Sequence, residues 1–489
     1  MSAPDIVVVG SGPNGLAAAL ELARNGLAVE VYEGADTAGG GCRSAELTLP
    51  GFVHDVCSAV HPLVAASPFF HTVDLERHGV RLLAPPVAFA HPLPGGRAGA
   101  VVGGTEETAA LLGPDGERYR RLLGPLVGDV EPILAAVLAP LRRLPAHPIA
   151  LARFGALGML PLEVLARRFR TDEARAVLAG TAAHAMQPLG SILTGSYGLL
   201  FTVMAHATGW PVVRGGSARL VDALLAELEA HGGRVVTGRW VRSLADLPPA
   251  RATLLDVSPD QLVALAGDAL PTRYRRALER FEYGAGICKV DWALDGPVPW
   301  ESELCRRAGT LHVGGTLEEI ARSEAEVHAG RHPERPYCIV AQHGVVDPTR
   351  APEGRQTLWA YCHVPAGSDV DMTTPIEDQI ERFAPGFRDR ILARVTTTAV
   401  HEHEANPNYV GGDINGGAAT LRQTLFRPAP TWNPYRIPVP GLYLCSASTP
   451  PGGGVHGMCG LLAARAALAD LGIRPYRTPP ARSGRYRDG

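Results

Sequence analysis

The sequence predicts an α/β protein in which a parallel-sheet domain is interleaved with a mixed domain of helices and antiparallel strands. Three observations support this class. A strand, a glycine-rich loop, a helix and a second strand follow one another over residues 5–33. Short apolar strands recur at residues 234–256 and 442–444, where the chain is expected to return to the same sheet. Between these segments, helical spacing comes first and alternating apolar runs come later.

The opening unit has the spacing of a dinucleotide-binding site. Its loop contains Gly10, Gly12, Pro13, Asn14 and Gly15. The first glycine permits the tight turn, the second lets the backbone approach a pyrophosphate, and the third allows the helix to pack on the strand. Glu33 ends the second strand, where a carboxylate can accept hydrogen bonds from ribose hydroxyls. An ordinary βαβ turn is the alternative interpretation.

A second glycine cluster extends this site toward a flavin. Gly40 and Gly41 precede Arg43, whose cation can pair with phosphate. No second strand–GxGxxG–helix unit follows, so FAD without a separate nicotinamide domain is the predicted cofactor. Near the other end, the glycine-rich residues 450–457 open a helix expected at 458–471. The positive end of that helix suits the flavin ring.

The predicted fold is therefore a Rossmann-type FAD-binding domain interleaved with a mixed α+β substrate domain (antiparallel sheet plus helices). The expected FAD-binding parts are residues 1–80, 210–283 and 431–472. The substrate domain is expected to have a helical part at 81–209 and a sheet part at 284–430. Residues 473–489, with arginines among prolines and glycines, form an expected flexible basic tail.

Composition argues against several classes of protein. The chain has 46 basic and 49 acidic residues, so it lacks the basic surplus typical of nucleic-acid-binding proteins. Its eight cysteines form no CxxC pair, which argues against a disulfide scaffold or a structural zinc site and suits a reducing cytoplasm. No apolar run reaches the roughly 18 residues of a membrane span, and the start lacks the basic region of a signal peptide. We therefore expect a cytoplasmic protein.

Several motifs together carry a family resemblance. Besides the two glycine clusters and Glu33, they are residues 47–52, 55–62, 406–413 and 451–460. Together these segments resemble the flavin amine oxidoreductase superfamily, and most closely its phytoene-desaturase-related branch. That branch includes carotenoid isomerase-like proteins and those like pyridine nucleotide-disulphide oxidoreductase domain-containing protein 2. The resemblance covers nearly the whole chain and implies the same fold and FAD as cofactor.

The resemblance also implies roles for individual residues. Those that would bind the diphosphate and ribose are Gly10, Gly12, Gly15, Glu33, Gly40 and Arg43. Val241 would contact the adenine through its backbone. Those that would face the isoalloxazine are Gly453, Gly454, Val455 and Met458. Lys289 is similar in placement to the lysine with which amine oxidases hold a water near flavin N5.

Two residues are candidates for a catalytic role. Lys289 is the single lysine among 46 basic residues, which suggests that a compact ammonium is required there. The alternative is a lysine at a strand edge, or one paired with an acid such as Asp291. His456 lies within the C-terminal glycine loop, where it either faces the flavin or stabilises the loop.

Other polar and apolar motifs have more ordinary interpretations. Asp55 and His61 are expected to form structural hydrogen bonds, and Cys459 is expected to be a small buried residue rather than a flavin attachment point. Residues 401–404, His-Glu-His-Glu, are expected on a strand face, without enough ligands for a metal. Residues 149–165 are expected to form a wall of the substrate domain, with a weak peripheral membrane contact as the alternative.

The sequence thus predicts an FAD-dependent dehydrogenase or oxidase. A small-molecule substrate would lose hydride and gain a C=C or C=N bond, with O2 or a quinone as electron acceptor. The aromatic share of 6% favours an aliphatic or polyene tunnel over an aromatic amine cage. Two alternatives stay open: a non-redox polyene isomerase, and a flavoprotein whose FAD is structural. The oligomeric state is left open.

Overall fold

The computed structural model describes residues 3–140 and 146–476. The strands are β1 Ile6–Val9, β2 Val29–Tyr32, β3 Ser44–Ala45, β4 His54–Asp55, β5 Leu82–Leu83, β6 Val87–Leu93, β7 Arg97–Val101, β8 Val212–Val213, β9 Arg234–Val236, β10 Ala252–Leu255, β11 Gly286–Leu294, β12 Ala308–Val313, β13 Cys338–Ala341, β14 Gln356–Val364, β15 Ile391–Thr397 and β16 Leu442–Leu444. Most of the tail predicted at 473–489 lies outside the described residues.

The α-helices alternate with these strands and cluster in the first half of the chain. They are α1 Pro13–Arg24, α2 Pro62–Ala66, α3 Thr105–Leu111, α4 Gly116–Gly128, α5 Val130–Val137, α6 Pro148–Gly158, α7 Leu162–Ala166, α8 Asp172–Ala183, α9 Thr194–Ala207, α10 Ala218–Ala230, α11 Pro259–Ala266, α12 Thr272–Leu278, α13 Glu303–Arg306, α14 Leu317–His328, α15 Thr373–Phe383, α16 Ala399–Ala405, α17 Leu421–Phe426 and α18 Met458–Asp470. Within the described part of the chain, none of them combines the length and apolar character needed to cross a bilayer.

The first sheet is parallel and has the strand order β16-β10-β1-β2-β9. Its strands come from three distant parts of the chain, as the sequence predicts. Helices α1 and α18 pack against each other beside it, and α10 packs on α1. Leu16 and Leu20 of α1 are fully buried there with Ile6 and Val8. The parallel sheet places the carboxyl ends of β1, β2 and β10 at one edge, which is where ligands bind such sheets.

The second sheet has seven strands in the order β15-β11-β14-β13-β12-β6-β7. Neighbours are antiparallel except β12 and β6, which are parallel. Two of its strands, β6 and β7, lie in the segment that was predicted to be helical, so residues 81–209 are not helices alone. In β6, apolar and polar side chains do not alternate clearly, because the strand is buried along its whole length.

Helices cover both faces of the second sheet. On one face, α8 and α9 pack together and bury Leu178 and Val203 against Phe89 and Ile339 of the sheet. On the other face, Ile376 and Ile380 of α15 pack on Trp292. The fold class predicted from the sequence is confirmed: a parallel Rossmann-like sheet accompanies a separate mixed sheet with helices.

Candidate functional site

A cavity of about 770 Å³ runs from the glycine loop after β1 to the helix-covered face of the second sheet. It brings together most of the residues that the sequence singled out, although they come from both ends of the chain. Predicted site residues that line it are Gly10, Gly12, Pro13, Asn14, Glu33, Gly40, Gly41, Arg43, Val241, Gly453, Gly454, Val455 and His456. Gly15, Lys289 and Met458 do not line it.

The glycine loop has the close packing that its spacing predicts. Gly10 has a φ of +94°, and its amide donates to the Tyr32 carbonyl at 2.8 Å. A Cβ at Gly15 would overlap the Gly10 carbonyl oxygen, so this glycine allows α1 to approach β1 and does not itself reach the cavity. Asp256, at the end of β10, accepts the Gly15 amide at 2.8 Å.

Asp256 is a cavity residue that the sequence analysis missed. Its carboxyl group is buried beside the glycine loop, and burial raises its pKa to about 7. A Cβ at Gly12 would lie 2.8 Å from its Oδ2, so this part of the wall has no room for a larger residue. The position directly after a parallel strand, at the edge that carries the loop, is the signal that could have found it.

Glu33 holds the loop and still faces the cavity. Its Oε2 accepts from the Ser11 amide at 2.9 Å and the Ser11 hydroxyl at 2.6 Å, and its Oε1 accepts from the Ala35 amide at 2.9 Å. A carboxylate has about four acceptor positions, so capacity for one ribose hydroxyl is left.

Cations and a tryptophan surround the same end of the cavity. Arg43 Nε donates to the Gly40 carbonyl at 2.8 Å, and no ion pair to this guanidinium is found in the described residues. The Arg239 guanidinium lies 4.7 Å from the centre of the Tyr32 ring. Trp240 is half exposed beside buried Val241. Arg239 and Trp240 were missed, because a single basic and a single aromatic residue have no distinctive spacing.

The C-terminal glycine loop forms the middle of the cavity wall. Gly454 has a φ of +112°, and a Cβ there would overlap the Leu63 side chain. The Met458 amide donates to His456 Nδ1 at 3.0 Å, so the ring proton lies on Nε2 and is donated to the Gly452 carbonyl at 3.1 Å. Both nitrogens therefore stabilise the loop, as in the alternative interpretation of His456. Met458 contributes its backbone to this arrangement rather than a side chain facing the cavity.

Lys289 lies one strand beyond the cavity. It pairs in register with the cavity residue Tyr361, but its ammonium forms a buried ion pair with Asp291. Asp291 also lies 3.6 Å from His54. Burial raises the pKa of Asp291 to about 6 and lowers that of His54 to about 3. This is the ion pair named as the alternative, and the role of Lys289 toward a flavin stays a prediction.

The far end of the cavity is rich in aromatic side chains. They are Tyr197, Phe201, Trp210, Trp359 and Tyr361. Five of the 29 aromatic residues of the chain are gathered there, so the low overall aromatic content does not describe this wall. The preference for an aliphatic or polyene tunnel over an aromatic amine cage stays a prediction. Residues 149–165 also contribute Leu151, Phe154 and Met159 to this wall, in agreement with the favoured interpretation of that segment.

Two further cavity residues have unusual hydrogen bonding. Arg427 is buried, and the bonds from its guanidinium go to the backbone carbonyls of residues 417, 418 and 447. His61 is 1% exposed, and neither ring nitrogen has a partner among the described residues. The structural hydrogen bond predicted for the His61 side chain is therefore wrong.

The remaining polar motifs lie outside the cavity or are structural. Asp55 accepts from Ser44, Ser217 and Arg350. Burial alone would raise its pKa, but the Arg350 cation, His343 and the Ser217 amide lower it instead. Residues 401–404 lie on helix α16, not on a strand, and only Glu404 lines the cavity.

Cysteines and metals add no further site. Cys459 is buried and free, and burial raises its pKa to about 11. Its thiol donates to the carbonyls of Thr449 and Gly452 at 3.4 and 3.5 Å, so it belongs to the packing under the loop. No group of three or more possible metal-binding side chains occurs in residues 3–140 and 146–476.

Comparisons with known proteins agree with this architecture. A family described as the NAD(P)-binding Rossmann-like domain matches residues 8–74. Pyridine nucleotide-disulfide oxidoreductase domain-containing protein 2 of Rattus norvegicus is 27% identical, over 96% of this chain and 94% of that protein. A limonene dehydrogenase subunit of Castellaniella defragrans is 24% identical, over 97% of this chain and 96% of that protein.

A solved structure shows the same fold. Cyclohexylamine oxidase from Brevibacterium oxydans superposes with a TM-score of 0.62 at 15% identity, covering 96% of this chain and 100% of that chain. The shared fold therefore extends over both sheets.

Proposed function

We propose that this chain, which fits the flavin amine oxidoreductase superfamily in sequence and fold, is an FAD-dependent oxidoreductase. One observation carries the proposal: a nucleotide-binding glycine loop and an apolar, aromatic chamber belong to the same cavity. A cofactor that occupies the first would present its reactive ring to a substrate in the second. The arrangement suits a redox cofactor with a long nucleotide part.

The residues of the cavity fit FAD. Close-packed glycines leave space beside the start of α1, whose amides and positive end favour a diphosphate. Arg43 would add a cation there, and Glu33 would accept from a ribose hydroxyl. The sterically restricted loop at Gly454 and the buried Arg427 cation line the same cavity and would hold the flavin end of the cofactor, where Arg427 would supply a positive charge.

Bound FAD would be the acceptor of a hydride from a substrate C–H bond. The chain's own contribution is to exclude water and to hold a small hydrophobic or polyene-like substrate between the helices and the sheet. In the overall reaction the substrate would lose two hydrogen atoms and gain a C=C or C=N bond, and O2 or a quinone would be the final acceptor of both hydrogen atoms. The names of the relatives, a limonene dehydrogenase component and a cyclohexylamine oxidase, agree with cyclic hydrophobic substrates.

Anaerobic mixing with candidate substrates tests the proposal. The purified protein should be yellow, and limonene or cyclohexylamine are suitable first probes of the hydrocarbon and amine classes. A productive substrate should bleach the flavin band at about 450 nm. The product, measured by mass spectrometry, should have lost two hydrogen atoms. A colourless protein that binds no FAD would contradict the proposal, as would a product of unchanged mass formed without any bleaching.

A further inference from the structure

Two histidines meet at the aromatic end of the cavity, and no motif in the sequence pointed to either. His184, at the end of α8, lines the cavity, and His312 lies beneath it on β12. Their Nε2 atoms are 3.0 Å apart and the two rings are perpendicular. Phe201 packs 4.9 Å from the His184 ring, and Trp210 lies 6.2 Å from it. A polar pair is therefore built into a largely aromatic wall.

Two hydroxyl groups of this wall are already engaged, whereas the indole N–H of Trp359 has no partner among the described residues. The Thr310 hydroxyl accepts from Trp210 Nε1 at 3.1 Å, and the Ser196 hydroxyl donates to the Leu193 carbonyl at 2.6 Å. His184, by contrast, uses only Nε2, and no hydrogen bond to its Nδ1 is formed within the described residues. Such a group on a cavity wall is available to a ligand.

The hydrogen bonding indicates which nitrogens carry protons. Burial lowers the pKa of His184 to about 3 and that of His312 well below its ordinary value, so both rings are neutral near pH 7. His312 Nδ1 is buried without a partner among the described residues. A buried N–H without an acceptor is rarer than a bare acceptor, so the His312 proton lies on Nε2 and is donated to His184. The His184 proton then lies on Nδ1, the free nitrogen.

We propose that His184 is a substrate-binding residue whose Nδ1–H donates to a carbonyl or ether oxygen on a hydrophobic ligand, and that His312 positions it. This inference rests on the proposed function only in taking the aromatic chamber as the substrate site. Among the hydrophobic molecules of the proposed function, it predicts tighter binding of those with one accepting oxygen. Aromatic rings would bind the carbon skeleton, and the neutral imidazole would orient it.

Ligand binding to the FAD-loaded protein tests this inference without turnover. Cyclohexanone and methylenecyclohexane have the same shape and differ in the accepting oxygen. Dissociation constants are measured by headspace gas chromatography of the free ligand. His184→Leu should weaken cyclohexanone binding about fivefold, the effect of one net hydrogen bond, and change methylenecyclohexane binding less than twofold. His184→Asn, whose amide can donate, should recover part of the loss.

Matched variants separate the roles. His312→Leu should weaken cyclohexanone binding selectively, because His184 loses the partner that fixes its proton and orientation. His206→Leu is the control, since His206 bonds to Tyr119 on α4 and does not line the cavity. Equal effects of His184→Leu on both ligands would overturn the inference, as would a selective loss in Tyr361→Phe alone. FAD content and bleaching by substrate are measured separately. A failure of the ligand-binding prediction can therefore be told apart from a failure of the proposed function.

Discussion

The one lysine of the chain illustrates how burial decides the role of a residue. Lys289 is 1% exposed and Asp291 is fully buried, so neither charge is solvated by water. Glu402 lies near them, and burial raises its pKa to about 7, with Lys289 opposing that rise. A buried ion pair adds little net stability, but removal of one partner leaves an uncompensated charge. The ammonium is thus required by its surroundings, whatever it does toward a cofactor.

We predict that Lys289→Met lowers the free energy of unfolding at pH 7 by about 3 kcal/mol. The loss should be smaller at pH 5, because the Asp291 carboxyl, with its raised pKa, can then take up a proton and become neutral. Denaturant titration at the two pH values measures both effects. The double variant Lys289→Met with Asp291→Asn should recover more than half of the loss. Equal losses at both pH values would contradict this account.

At the scale of elements, the sequence predicts the helices and strands that depend on patterns among nearby residues. The β1–α1–β2 unit was predictable because glycine spacing, apolar periodicity and Glu33 all lie within some 30 residues of chain. Strands β6 and β7 were missed although they pair locally with each other, because β6 is buried along its whole length and lacks the alternation of a half-exposed strand. The other partner of β6 is β12, more than 200 residues away. Helix α16 was mistaken for a strand because histidine and glutamate alternate at residues 401–404 with the two-residue period of a strand, over a run too short to decide. The His184–His312 pair was also missed, because its two residues are 128 positions apart in the chain.

The C-terminal glycine loop gives a test at this scale. We predict that Gly454→Ala lowers FAD affinity at least about tenfold, because its φ of +112° disfavours a side chain and a Cβ would overlap Leu63. Gly155→Ala is the matched control: this glycine also lines the cavity, but a Cβ there meets nothing within 4 Å. Flavin fluorescence during titration measures both affinities. Equal affinity in the two variants would show that the loop does not determine cofactor binding.

At the scale of the whole molecule, buried polar groups join the separate chain segments. Arg350 donates to Asp55 and Asp347 at 3.0 Å, and to the Val213 carbonyl at 3.0 Å. Three segments distant in sequence therefore meet at one guanidinium that is 1% exposed. Because buried titratable groups join segments of both domains, the stability of the whole fold depends on the protonation of those groups.

Buried histidines make the largest contribution to this coupling between pH 7 and 5. In the described chain, seven histidines have a pKa lowered mainly by burial: His54, His61, His91, His184, His206, His312 and His456. Four carboxyl groups have a pKa raised by burial: Asp256, Asp291, Glu402 and Asp413. Between pH 6.5 and 5 the unfolded chain binds more protons at these seven histidines than the folded chain does. The four carboxyl groups act in the opposite sense, because the folded chain binds more protons there.

Because the histidines outnumber the carboxyl groups, we expect the unfolded state to bind more protons in this range and stability to fall as the pH falls. We predict that the melting temperature drops by at least about 5 °C between pH 7 and pH 5, since each net proton changes stability by about 1.4 kcal/mol per pH unit. Scanning calorimetry at constant ionic strength measures the drop. His184→Leu and His456→Leu would each remove one titrating group and should make the dependence shallower, whatever they do to stability at pH 7. A melting temperature that rises toward pH 5 would mean that the carboxyl groups dominate the balance.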